Sequence, residues 1–142
     1  MRGAAKEFVL DASVAVAWCF EDESSDFTDG ILDLLKTGAE AMTPAIWPLE
    51  VANALLMAER RKRISMAQVI AQLNGIRRLP ILLEPMDSAH AFDQILSVAR
   101  QQRLTGYDAA YLELALRRTL PLATLDENLR RAARLAGITL LS

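Results

Sequence analysis

Residues 8–20 read FVLDASVAVAWCF. One acid, Asp11, sits in an otherwise apolar run. A buried aspartate is rare unless its charge is compensated, because desolvating a carboxylate is costly. The run therefore leaves the core at Asp11, or something there compensates the charge. EFVLD (7–11) has the character of a short buried strand, and ASVAVAW behind it is helical in pattern.

The same alternation continues along the chain. ESSDFTDGILDLLKTG (23–38) has a serine start, early acids and a closing glycine, as a helix should. EAMTP (40–44) is a short strand ended by proline. AIWPLEVANALLMAERRKR (45–63) carries Trp47, Val51, Ala54, Leu55 and Ala58 at helical spacing, with Pro48 suited to its first turn. Residues 65–79 form a further helix, and LPILLEP (79–85) a strand bounded by prolines. SAHAFDQILSVARQQ (88–102) places Ala89, Phe92, Ile95, Leu96 and Ala99 on one helical face. TGYDAAYLELALRR (105–118) is another helix, LPLATLD (120–126) a strand, ENLRRAARLAG (127–137) a helix, and ITLL (138–141) a fifth strand. Five short apolar strands separated by helices predict an α/β fold, a parallel sheet covered on both faces. Ligands of such sheets bind outside the carboxyl ends of the strands, where helix N-termini also gather.

Four acids fall at that edge. Asp11 ends strand one, Glu50 follows strand two, Asp108 lies in the turn after Thr105, and Asp126 ends strand four. Each has a plain structural alternative. Asp11 and Asp126 could cap helices, Thr105 to Asp108 resembles a capping box, and Glu50 suits a helix N-terminus. Convergence weakens those alternatives. Each close pair would repel by roughly 3–4 kcal/mol at about 4–5 Å with an effective dielectric near 20, which exceeds a capping gain. Stretches 8–20 and 43–58 contain no Lys or Arg to neutralise their acids. A convergent cluster needs a cation, and carboxylate oxygens favour Mg²⁺ or Mn²⁺. Zinc is disfavoured: the one histidine, His90, falls on a helix between the proposed sites and reads as a surface or packing residue, and there is one cysteine. Carboxylate-held Mg²⁺ suits phosphoryl chemistry.

These residues resemble the PIN-domain ribonucleases, in particular the toxins of VapBC-type toxin–antitoxin pairs. The likeness spans nearly the whole chain and rests on four ordered motifs: VLDASV, PLEVANAL, LTGYDAAYLELA and ATLDENL. It implies a three-layer α/β/α fold whose five-stranded parallel sheet has the order 3-2-1-4-5. It implies Mg²⁺- or Mn²⁺-dependent endonucleolytic cleavage of RNA, leaving 5′-phosphate and 3′-hydroxyl ends. Carried over by motif, Asp11, Glu50, Asp108 and Asp126 would hold the metal directly or through water. Ser13, Asn53, Thr105 and Thr124 would orient them. Leu129 stands where the family often has an aromatic residue, which reads as a packing substitution. The likeness further implies a homodimer and an antitoxin partner whose C-terminal segment enters the acidic site, often with a basic residue. The helical region 45–79 could supply a groove for that segment, or be ordinary core.

Composition narrows the field further. The chain has 142 residues, 52% of them apolar, which excludes a disordered chain and fits one domain over residues 1–142. Cys19 cannot form an internal disulfide and reads as a buried thiol. The basic start and apolar stretch superficially suggest a secretory signal, but Glu7 and Asp11 argue against it. No stretch approaches the ~18–20 apolar residues of a membrane span, so a cytoplasmic protein without membrane contact is expected. Net charge is −2, with three bases and nine acids in residues 1–40 and thirteen bases, twelve of them arginine, against nine acids thereafter. Arginine pairs such as Arg60-Arg61, Arg77-Arg78, Arg117-Arg118 and Arg130-Arg131 suit phosphate or simply solvate helix faces.

Other activities fit less well. There is no GxxxxGK[ST], GxGxxG or GxSxG motif. A phosphoacceptor signalling domain would need a lysine at a late strand end, and no lysine lies beyond Lys62. A PIN-like module that binds RNA or protein without cutting is the remaining alternative. Loss of one acid would signal it, and all four are present.

Overall fold

The computed structural model describes residues 6–142; residues 1–5 of the expected domain lie outside the described residues. Strand β1 (Glu7–Leu10) runs into helix α1 (Ala12–Trp18). A 3-10 turn (Glu21–Glu23) leads to α2 (Asp26–Lys36), whose Ser25 makes a capping box with Thr28. Then come β2 (Glu40–Pro44), α3 (Trp47–Arg60) and α4 (Met66–Arg77). Next are β3 (Ile81–Glu84), α5 (Ser88–His90), a π-helical turn (Ala91–Ile95) and α6 (Leu96–Gln102). Helix α7 (Gly106–Arg118), β4 (Leu122–Ala123) and α8 (Glu127–Leu135) complete the regular elements.

The strands pair in parallel in the order β3-β2-β1-β4. Val9 of β1 lies between Met42 of β2 and Leu122 of β4, and Met42 also pairs with Leu82 of β3. Helices cover both faces, giving the expected α/β/α layering. The sheet differs from expectation at one edge. ITLL makes only a single parallel bridge, Leu140 beside Leu122, held by the Leu122 amide donating to the Thr139 carbonyl and the Leu141 amide to the Leu122 carbonyl, both 2.9 Å. The cause lies in β4. Pro121 before it has no N–H to offer, and the chain turns away after Ala123, so a fifth strand has two residues to pair with.

Helix 88–102 also departs from its pattern. The π turn adds a residue and rotates the face that follows. Ile95 and Ala99 are buried as expected, but Phe92 is 71% exposed and Leu96 41%. In α3 the expected face is core: Trp47, Val51, Leu55 and Ala58 are buried. Region 45–79 is therefore part core and part surface. Helix α4 buries none of its residues, and Leu49, Leu56, Met66 and Ile70 are exposed. Helix α7 is the centre of the molecule, with every residue from Ala109 to Ala115 buried. Cys19 is buried, its thiol donates to the Ala15 carbonyl, and burial pushes its pKa up to about 11, as suits a packing thiol.

Among the described residues no helix is long and apolar enough to cross a membrane.

Candidate active site

Parallel strands β1, β2 and β4 end at one edge, and the helices that leave them begin there. Helix α7 runs back toward the start of β4, so its N-terminus lies at that same edge. This places Asp11, Glu50, Asp108 and Asp126 together without any of them being neighbours in sequence. Their mutual influence accords with this placement: Asp11 feels the charge of Asp126, Glu50 feels Asp11 and Asp108, and Asp108 feels Asp126 and Asp11.

Asp11 is 6% exposed. It occupies the cap position of α1, yet its side chain makes no capping bond. Two hydroxyls claim the same oxygen instead. Ser13 Oγ donates to Oδ2 at 2.7 Å and Thr124 Oγ1 at 2.6 Å. Each hydroxyl is polarised from behind by an amide: Leu125 N–H donates to Ser13 Oγ and Asp126 N–H to Thr124 Oγ1, both 3.0 Å. The hydroxyl protons are thereby directed at Asp11. Burial pushes the Asp11 carboxyl above its ordinary range, the Thr124 and Ser13 hydroxyls pull it back, and the Asp126 charge raises it again.

The other acids are held differently. Asp126 caps α8, its Oδ1 accepting from the Leu129 amide at 2.8 Å. Thr105 caps α7 and accepts the Asp108 amide at 3.1 Å, so the threonine orients the turn and leaves the Asp108 carboxylate uncommitted. Burial first, then the Asp126 and Asp11 charges, push Asp108 up to about 6. Glu50 lies in the first turn of α3 and takes a hydrogen bond on Oε1 from the Tyr111 hydroxyl. Burial raises its pKa, the Tyr111 bond lowers it, and Asp11 and Asp108 raise it further. Asn53, one turn beyond Glu50, is exposed and makes no side-chain hydrogen bond among those of the described residues.

Two contributors were not singled out in the sequence. Tyr111 is wholly buried and belongs to the floor of the site; its spacing of three from Asp108, one helical turn, was the available signal. Arg130 donates to the Thr124 carbonyl at 3.2 Å from the first turns of α8, bracing the loop that carries Asp126. No salt bridge among the described residues involves any of the four acids. Nor do any three His, Cys, Asp or Glu side chains there already close around a single point. The donors are all oxygens, the carboxylates feel one another's charge, and no three of them are gathered closely enough to enclose an ion by themselves. That combination fits a hard divalent cation that keeps part of its water shell.

His90 lies elsewhere. Its Nε2 meets Glu113 Oε1 at 2.8 Å, in a network where Arg117 bridges Glu113 and Glu84 and Arg118 also pairs with Glu84. It is a structural residue there, and Arg117 and Arg118 are engaged with protein carboxylates.

Thr124→Val tests the hydroxyl relay. The side chain is fully buried, so the change strands the Asp126 amide and removes a donor from Asp11. A loss of about 2 kcal/mol is expected in urea denaturation. Unchanged stability would mean the relay is dispensable.

Comparisons with known proteins bear on the fold and the family. Over 101 residues the chain is 35% identical to Ribonuclease VapC3 of Mycobacterium tuberculosis, covering 70% of this chain and 68% of that one. Its fold matches the crystal structure of PAE2754 from Pyrobaculum aerophilum with TM-score 0.68 at 22% identity, over 92% of this chain and 96% of the other. It also matches VapBC2 from Rickettsia felis, solved bound to a DNA fragment from its promoter, with TM-score 0.67 at 13% identity, over 94% and 96%. The PIN domain family model matches residues 8–135, a span that opens in β1, closes in α8 and encloses all four acids; the chain belongs to the PIN domain family.

Proposed function

We propose that this chain is a metal-dependent endoribonuclease and the toxin of a toxin–antitoxin pair, with Asp11, Glu50, Asp108 and Asp126 holding Mg²⁺ or Mn²⁺. The observation that carries this reading is the gathering of four carboxylates, three of them pushed above their ordinary pKa, at an edge where no Lys or Arg among the described residues pairs with them. Family membership and the likeness to a ribonuclease support RNA as the substrate.

When bound, the ion supplies a Lewis acid beside the phosphate and lowers the pKa of water at the site. The residues present that site to it. Ser13 and Thr124 favour ionised Asp11 and fix its rotamer through Oδ2, and a carboxylate so held would be one of the groups that hold the ion. Asp126 is anchored through Oδ1 on the Leu129 amide. Asp108 is held by backbone alone, through the Thr105 cap. Of the expected orienting residues, Ser13, Thr124 and Thr105 have this support, and Asn53 has none.

We extend the reading to partners. An antitoxin segment bearing a basic residue would complement the acids, and the exposed Leu49, Leu56, Met66 and Ile70 of α3 and α4 offer it apolar surface. A homodimer, a single domain over residues 1–142 and a cytoplasmic setting complete the proposal.

The test is to incubate the purified chain, free of any partner, with total cellular RNA in Mg²⁺, Mn²⁺ or EDTA and to map the product ends. Discrete metal-dependent cuts with 5′-phosphates are expected. Cutting in EDTA would overturn the metal role. Tight RNA binding without turnover in either metal would point to a non-cleaving module.

A further inference from the structure

Tyr111 is a polar residue in an apolar place. It is 0% exposed on α7, amid core residues, and its hydroxyl has no access to water. A buried phenol O–H must find an acceptor or cost its desolvation. The acceptor is Glu50 Oε1, on α3 and 61 residues away in sequence. The same hydroxyl oxygen also feels the Ala12 amide, the first backbone donor of α1, and the charge of Asp11. One atom thus touches or senses the start of α1 and the start of α3, while its own helix carries Asp108 one turn earlier.

Glu50 needs such a partner. It has one more rotatable bond than Asp, and no hydrogen bond other than that from Tyr111 reaches its carboxylate among the described residues. Asp11 by contrast has two hydroxyls on one oxygen, and Asp126 has a backbone amide. Without Tyr111, Glu50 would join Asp108 as an acid whose carboxylate accepts no hydrogen bond among the described residues, left to packing and to repulsion from Asp11 and Asp108.

We infer that Tyr111 is the positioning residue for Glu50: its hydroxyl engages Oε1, holds the carboxylate at the rim against the repulsion of its neighbours, and leaves Oε2 to ligate the divalent cation. This rests on the reading of Glu50 as a ligand given above. The phenol does not meet substrate and exchanges no proton in the reaction; it acts through Glu50 alone. Partners of this kind, one step removed from the metal, set ligand orientation and typically govern affinity by about 10–100-fold.

The test measures Mn²⁺ binding to the RNA-free chain by the electron paramagnetic resonance of free Mn²⁺, so it does not depend on cleavage. Wild type, Tyr111→Phe, Glu50→Gln and the double variant are compared, with circular dichroism reporting the fold. Tyr111→Phe should weaken Mn²⁺ binding about tenfold or more. In the Glu50→Gln background the same change should add nothing, because the residue through which it acts has lost its charge. Wild-type affinity in Tyr111→Phe, with Glu50→Gln impaired, would overturn the positioning role and leave Glu50 a ligand. Equal effects of Tyr111→Phe in both backgrounds would overturn it too, showing that the hydroxyl acts by another route. Wild-type affinity in Glu50→Gln would overturn the ligand reading itself. Should Tyr111→Phe fail to fold, Glu50→Asp retracts the carboxylate from the hydroxyl while keeping its charge. It should bind Mn²⁺ about tenfold more weakly, and full affinity would sink the inference.

Discussion

Asparagine in place of Asp11 is expected to lower RNA cleavage about a thousandfold or more, with the fold intact and the metal-free protein at least as stable as wild type. The scale is that of losing a preorganised charged group from a site where charge develops during reaction. The substitution is nearly isosteric. Ser13 and Thr124 can still donate to the amide oxygen, so the relay to the Leu125 and Asp126 amides survives. What disappears is a negative charge that burial and Asp126 both oppose. Activity and stability therefore move in opposite directions. Cleavage assays on the RNA identified from total RNA, paired with thermal melts in EDTA, check both. A variant that cuts normally would remove Asp11 from the machinery. One that is inactive because it is unfolded would show that the charge serves the fold.

The second large effect concerns pH. Asp108 titrates at about 6 in the folded chain against 3.8 for an ordinary aspartate. Between these values the native state binds more protons than the unfolded state, so stability falls as pH rises. Below about 4 both states are protonated and the group is neutral in its effect. Above about 6 both are ionised and the full penalty is present. Two units correspond to about 3 kcal/mol, which solvent screening of this half-buried group reduces to roughly 1–2 kcal/mol. Asp11 and Glu50 are shifted in the same direction and add to the slope. In EDTA the melting temperature of Asp108→Asn should therefore exceed that of wild type by roughly 3–6 °C at pH 7 and converge with it near pH 4. Saturating Mn²⁺ should close the gap at pH 7 by raising the wild type. A difference between the two proteins that is the same at every pH would show that Asp108 does not carry this penalty.

Both effects come from acids that could be picked out in the sequence. Asp11 and Asp126 end apolar runs, Glu50 and Asp108 fall in the first turns of helical patterns, and a parallel sheet gathers strand ends and helix starts at one edge. Chain order was enough to group Asp11, Glu50, Asp108 and Asp126, and enough to recognise the family. The tie between Tyr111 and Glu50 was not legible. Tyr111 falls in a run that reads as core, and its partner is on another helix, so only the folded distance joins them. The face of helix 88–102 was misplaced because a π turn leaves no mark on a 3.6-residue pattern, and Phe92 came out exposed. ITLL has the composition of a strand, but pairing also needs a partner, and β4 supplies two residues. Asp11 and Asp126 look alike at the ends of their strands. Only the structure separates the acid that caps its helix from the one held by hydroxyls.

Helix α7 is buried without a break from Ala109 to Ala115, whereas α4 has no fully buried residue and packs on the core only through the half-buried Val69, Leu73 and Ile76. Local opening begins where few apolar contacts must be broken. Its cost rises toward the global unfolding free energy in a core helix of this kind. Helix α4 can thus detach and return many times for each opening of α7. Asp108 and Tyr111 are mounted on an element whose amide protons are expected to be among the last to exchange. The floor of the site persists through the fluctuations that loosen the periphery, and the outer helix is free to reshape around whatever approaches it.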